Sequence, residues 1–162
     1  MMRTFTRVLI VGVAVVAVCL AVWMRGMQTK SPAVVDFQRR VNRRVFNPRQ
    51  MRSAGSPGAY AGIIRHIGRR SGVPYETPVV PLTTPDGFVI VLPYGTRADW
   101  LRNVLAAGSA TIVHEGQEYA VARPELIAVD DAPHEFSASE QRNLRLFGNT
   151  DCLLVHHEQT GD

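Results

Sequence analysis

Residues 60–92 read YAGIIRHIGRRSGVPYETPVVPLTTPDGFVIVL, and turn residues divide them into a β-meander. Tyr60–His66 is an apolar strand, and GRRSG (68–72) is a turn. Glu76–Thr83 is a second strand, TTPDG (83–87) a second turn, and Phe88–Leu92 a third strand. Then the period changes. Ala98–Ala107 places Trp100, Leu101, Val104 and Leu105 on one helical stripe, and Gly108 ends it. Ala110–His114 and Glu118–Arg123 are strands around Glu115-Gly116-Gln117, and Leu126–Val129 extends the second of them. Asp131–Phe147 reads as a helix with Pro133 near its start, and Asp151–His156 as a final strand. Six short strands with one firm helix inserted predict an α+β chain, mainly β, built on a small closed or nearly closed barrel.

Working outward, the chain has 162 residues and a net charge of +4, which suits one globular domain. The charge is uneven. Residues 1–58 carry ten Arg/Lys and one acid, Asp36, for +9, and residues 59–162 carry eight Arg and thirteen acids, for −5. The basic character belongs to an N-terminal arm on a mildly acidic domain. That argues against nucleic acid as a partner and for an anionic lipid surface. Cys19 and Cys152 cannot form a disulfide framework and read as small hydrophobes.

Val8–Met24 is seventeen residues without a charge, roughly 25 Å as a helix. Arg3 and Arg7 flank one end and Arg25 the other, and Trp23 sits where an interfacial aromatic belongs. The run is apolar on every face, which fits an uncleaved anchor in a bilayer or a cleaved signal peptide rather than a core helix. Two Lys/Arg precede it and eight follow within residues 25–52, so the C-terminal part is expected on the cytoplasmic side of the plasma membrane. Ser31-Pro32 starts a second helix and Asn47-Pro48 stops it. Val34, Phe37, Val41 and Val45 share one face of this helix, and Arg39, Arg40, Arg43 and Arg44 fill the rest. Such a helix lies on an anionic leaflet or packs on its own domain. SAGSPG (53–58) reads as a short flexible joint. The expected organisation is an anchor over 1–30, a basic helix and linker over 31–58, and a barrel over 59–162.

Familiar catalytic patterns are absent: no G-x-S-x-G, P-loop, G-x-G-x-x-G or H-E-x-x-H. The five histidines show no trusted metal-ligand spacing, so no metal site is expected. What remains is GRRSG. Two glycines let backbone N–H groups converge as an anion nest, Arg69 and Arg70 add forked donors, and Ser71 adds a hydroxyl. The plain alternative is a solvated turn. A second feature is Pro93-Tyr94-Gly95-Thr96-Arg97, which leads into the helix bearing Trp100 and Asn103, with Thr96 a candidate N-cap. Tyr94 is a flat ring on a glycine-hinged loop. A planar ring with an anionic tail would satisfy both segments.

The runs HIGRRSGVPYETPV (66–79) and DGFVIVLPYGTRADWLRNVLAAG (86–108) resemble the deazaflavin-dependent nitroreductase family of actinobacteria. That family's pattern is H/T-x-G-R-x-S/T-G with a proline strand, then a D-G strand, a glycine loop and W-x-x-N-x-x-A-N/G. The match covers roughly residues 60–127, with a weaker tail to 157. The resemblance implies a split β-barrel of the FMN-binding type that binds the deazaflavin coenzyme F-420. It implies that Gly68, Arg69, Arg70, Ser71 and Gly72 hold the phosphate and acidic tail. Pro78, Val79, Leu92, Pro93, Tyr94 and Gly95 would line the ring, and Asn103 would help fix the phosphate side. The implied reaction is hydride transfer to a small-molecule acceptor, a membrane quinone or nitro compound, with Tyr94, Ser71 and His66 as candidate proton donors.

The chain departs from that pattern in two ways. The stretch HEFSASEQRNLRLFG (134–148) lacks the tyrosines that many members carry there, and the N-terminal apolar run is longer than is common in the family. Two other classes therefore stand beside the reductase. One is a non-catalytic module on the same barrel that binds lipid or fatty-acyl chains. The other is a relative that binds FMN or haem.

Overall fold

The computed structural model describes residues 2–42, 44 and 47–158. Its elements are helices α1 (Met2–Gln28), α2 (Pro32–Val41) and α3 (Asn47–Gln50), then strands β1 (Gly62–Ile67), β2 (Pro74–Val79), β3 (Pro81–Thr84) and β4 (Gly87–Val91). Helix α4 (Asp99–Ala107), β5 (Ser109–His114), β6 (Gln117–Ala128), α5 (Ala138–Phe147) and β7 (Asp151–His157) complete it. The seven strands form one antiparallel sheet in the order β2-β1-β5-β6-β7-β4-β3.

The sheet's two edge strands, β2 and β3, are consecutive in the chain and separated only by Val80. A sheet whose opposite edges are joined by one residue has to wrap round until those edges meet at that residue. Yet β2 and β3 share no ladder, so the wall stays open away from the corner: a split barrel. At the corner Gly62 leaves no room for a side chain, since a Cβ there would stand 2.8 Å from both Pro81 Cγ and the Val113 carbonyl. The single strand expected over Glu76–Thr83 is thus two. Proline 81 has no N–H for a ladder, and the chain exchanges its partner β1 for β4, pairing Pro81 with Ile90.

The barrel interior is filled by Ile64, Phe88, Ile90, Ile112, Val121, Leu153 and Val155, and by Leu101 and Val104 from α4. Strands β4 and β7 approach so closely at Gly87 that a Cβ would run into the Val155 carbonyl. Cys152, next to Leu153 on β7, is buried outside that cluster, and burial pushes its thiol up to about 11, so the sulfur serves as a hydrophobe. Two boundaries differ from the sequence reading for local reasons. Strand β6 runs unbroken to Ala128 through a register shift between Ala122 and Glu125, where Pro124 cannot pair and Arg123 takes φ 52°. Helix α5 starts at Ala138 rather than Asp131, because Ser137 and Glu140 form a capping box; Val129–Asp131 is a separate 3-10 turn.

Within α1, Ile10–Gln28 is long and apolar enough to cross a membrane, with a mean hydropathy of 2.2. Its two parts differ. The large apolar residues from Ile10 to Val22 are exposed, whereas Gly26 and Met27 are buried. The lower part is docked on the domain. The Trp23 indole donates to Gln38 at 3.3 Å and meets the edge of Phe147, and Gln28 donates to the Leu146 carbonyl. Lys30 closes the junction, its ammonium donating to the carbonyls of Pro93 (3.0 Å) and Phe147 (3.2 Å) and to Asn149 Oδ1 (2.9 Å). Burial holds its pKa below the usual lysine value, partly offset by Asp151. On α2, Val35 is buried while Phe37 and Arg40 are exposed, as is Arg44 beyond its end; Arg43 and Val45 lie outside the described residues. Asn47 begins the short α3 rather than ending α2. Segment 53–58 is no loose joint. Gly55 donates to the Ala61 carbonyl and accepts from Gly116, and Gly58 donates to Glu115.

Candidate functional site

The GRRSG turn joins β1 to β2, and most of its polar groups bond within the molecule. The Gly68 amide donates to Val73, Gly72 to the Gly68 carbonyl, and Val73 to Ser71 Oγ, which also meets the Tyr75 hydroxyl at 3.3 Å. Gly72 sits at φ +67°, which a side chain would resist. Arg69 folds inward onto α4. Its guanidinium donates to Asn103 Oδ1 at 2.7 Å and pairs with Asp99 at 3.1 Å, and its amide also reaches Asn103 Oδ1, at 3.2 Å. Arg70 is exposed and has no ion pair among the described residues.

Asn103 is buried, and its two ends face opposite demands. Two N–H donors of Arg69 converge on one atom, which must therefore be the carbonyl oxygen. Its NH₂ group then faces His66 Nδ1 at 3.2 Å. That nitrogen has to accept, so the neutral ring carries its proton on Nε2, 3.2 Å from Thr77 Oγ1. Burial lowers the His66 pKa, in keeping with a neutral ring stacked on Tyr75.

A cleft of about 450 Å³ opens beside β2, where the barrel is split. Its walls are mostly apolar: Pro78, Val79 and Val80 at the corner, Leu82 and Ile90 on β3 and β4, Trp100 on α4, and Phe136, Leu144 and Phe147 from the α5 region. Polar groups come from the N-terminal segment, as Arg39, Asn42, Asn47 and Gln50, and from elsewhere, as Thr77, Glu140, Asn143 and Asn149. Arg39 Nη2 donates to the Tyr94 carbonyl at 3.0 Å, while its Nε is buried without a partner among the described residues. The Asn42 amide donates to the Tyr94 hydroxyl. Burial raises the Tyr94 pKa, opposed by hydrogen bonds with Asn42 and Gln38.

Of the candidate ring-lining residues, Pro78, Val79, Pro93 and Tyr94 border this cleft. Leu92 is buried behind it, and Gly95 turns the loop at φ +68° with its amide on the Leu92 carbonyl. The candidate tail-binding residues Gly68, Arg69, Arg70, Ser71 and Gly72 do not line it, and Asn103 stands between them and the barrel. Of the candidate proton donors, only Tyr94 lines the cleft. Helix α4 begins after Ala98, not Thr96, and no side chain caps it. Sequence reasoning missed Thr77, Arg39 and Asn42. Nothing local marks Thr77. Arg39 lies among four arginines and only its inward rotation distinguishes it. Among the described residues no group of three or more His, Cys, Asp or Glu could hold a metal.

No protein-family description and no curated protein matches the chain. Among solved structures, it is similar to HutZ, the heme storage protein of Vibrio cholerae, at 10% identity over 62% of this chain and 82% of that one, with a TM-score of 0.39. It is also similar to a protein of unknown function from Agrobacterium tumefaciens, at 14% identity over 61% of this chain, with a TM-score of 0.41; the alignment spans about half (49%) of that protein. Likenesses this distant say nothing about function, and the fold stands on the strand order and the corner at Val80.

Proposed function

We propose that the chain is a membrane-anchored oxidoreductase that passes a hydride from reduced deazaflavin coenzyme F-420 to a lipophilic acceptor such as a quinone or nitro compound. The observation that carries this reading is that Pro78, Val79, Pro93 and Tyr94, which the family resemblance assigns to a flat ring, border one mostly apolar cleft. Its volume is within the range of small-molecule sites. When bound, the deazaflavin supplies the hydride from C5 of its reduced ring. The protein's part is to hold ring and acceptor face to face and to exclude water. Pro78, Val79, Tyr94 and Trp100 would form the walls. Arg39, which pairs with Asp36 at 3.6 Å but whose Nε has no partner among the described residues, and Arg70, which has no ion pair among them, are cations that an acidic tail would meet. The exposed apolar run of α1 and the Lys/Arg excess after it support a single-pass anchor with the domain on the cytoplasmic side, and the outward Phe37, Arg40 and Arg44 suit an anionic leaflet.

Titrating the full chain in lipid nanodiscs with oxidised F-420, FMN and haem tests the reading. It requires saturable F-420 binding, and turnover of a quinone or nitroaromatic by the reduced form. Binding of FMN or haem with no response to F-420 would overturn it. F-420 binding without turnover of any acceptor would leave a binding module.

A further inference from the structure

The cleft and the GRRSG turn are separate places, but one chain of hydrogen bonds joins them. It runs from Arg69 to Asn103 Oδ1, from Asn103 Nδ2 to His66 Nδ1, and from His66 Nε2 to Thr77 Oγ1. Each link has a forced direction. Arginine can only donate, so the asparagine oxygen faces it. The asparagine NH₂ can then only donate to Nδ1, and the neutral imidazole has one proton left, on Nε2, to give to Thr77. A threonine hydroxyl has one proton and two lone pairs. With one lone pair taken by His66, its own O–H points elsewhere. Thr77 lines the cleft, on the same face of β2 as Val79, which also lines it.

We infer that Thr77 is a hydrogen-bond donor to an oxygen of the cleft's ligand, with its polarity set from the turn by Arg69, Asn103 and His66. The ligand class is a planar molecule carrying a carbonyl or nitro oxygen. This rests on the reductase reading only for its role. There Thr77 would touch the acceptor and favour negative charge gathering on the reduced oxygen, while Asn103 and His66 are positioning residues. No proton needs to leave His66, because a neutral imidazole is too weak an acid to give up its last one. The proton completing the reduction comes from solvent.

The test uses the full chain in nanodiscs and two probes, menadione and its oxygen-free analogue 2-methylnaphthalene. Thr77→Val keeps the shape of the side chain and removes the hydroxyl. It should weaken menadione binding about fivefold, leave the hydrocarbon unchanged, and be reversed by Thr77→Ser. Nitrogen-15 NMR of His66 should show protonated Nε2 and bare Nδ1. Asn103→Asp, which offers Nδ1 an acceptor, should reverse that tautomer and weaken menadione as Thr77→Val does. Equal menadione affinity in the wild type and Thr77→Val overturns the inference. So does a wild-type His66 protonated on Nδ1, or a wild-type chain that does not bind menadione. F-420 titration of the same samples judges the cofactor reading separately. Thr77-dependent quinone binding without F-420 binding sinks that reading alone, and F-420 binding with Thr77-independent quinone affinity sinks this inference alone.

Discussion

The GRRSG turn and the cleft are opposites in how they are built. The turn is five contiguous residues whose donors largely find partners in the turn itself, on Val73 or on α4. The cleft has no contiguous signature: its walls come from β2, β3, β4, four helices and the loops between them. Among the described residues, the buried Arg39 Nε in its wall has no partner. A conspicuous motif can therefore hold a fold together while the roomier site forms beside it from inconspicuous residues. In this chain Asn103 and His66 connect the two.

The largest effect should come from cutting that connection. Asn103→Ala leaves His66 Nδ1 and the Arg69 donors without their buried partner and is expected to cost about 3 kcal/mol of stability. Thermal unfolding of the full chain in detergent measures it. A loss under about 1 kcal/mol would mean that water replaces the asparagine at little cost and that the turn is only loosely tied to α4.

A smaller and more selective effect separates the two arginines of the turn. Arg69→Ala should lower stability by about 1–2 kcal/mol, because it removes bonds to Asp99 and Asn103. Arg70→Ala should leave unfolding unchanged. If the turn holds an acidic cofactor tail, Arg70→Ala should instead weaken F-420 binding about tenfold and flatten its salt dependence. Unchanged F-420 affinity in Arg70→Ala would restrict the turn to a structural role and leave Arg39 as the cation for the tail.

The mildest test is pH. The His66 pKa is lowered by burial, so the unfolded chain binds the proton more tightly than the folded one. Stability from this group is complete above the unfolded value of about 6.5 and is lost as pH falls below it. Between pH 7.5 and 5.5 the melting temperature should drift downward in the wild type and stay flat in His66→Gln. Glu140, whose carboxyl is held below 4.5 by Ser137, makes its own contribution only at more acidic pH. Equal drift in both proteins would remove His66 as the cause.

Much of the fold was legible because it depends on neighbours in the chain. Helix α4 follows from the stripe Trp100–Leu105 and Gly108, and the hairpin turns follow from GRRSG and Asp86-Gly87. The corner at Val80 was not legible. Proline 81 shows that a ladder is interrupted and Asp86-Gly87 pairs β3 with β4, but the sheet edges meet at the corner only because β4 also pairs with the distant strand β7. The docking of α1 was hidden too. An apolar run gives the same pattern whether lipid or protein covers it, and only the Trp23, Gln28 and Lys30 contacts show that its end belongs to the domain.

The sequence by itself determined an α+β chain of short antiparallel strands, an apolar N-terminal helix, a basic arm, and a glycine-bounded arginine turn. These depend on periodicity, charge and backbone freedom, which act over a few residues. Tertiary structure alone decided that Arg69 faces inward, that the sheet's edges meet at one residue, and that the cleft is bordered by α2 and α3, the helices that follow the apolar one. It also decided that the Thr77 hydroxyl has its proton to give. A hydroxyl's direction is set by its partner's tautomer, and that tautomer is set by an asparagine thirty-seven residues further along the chain.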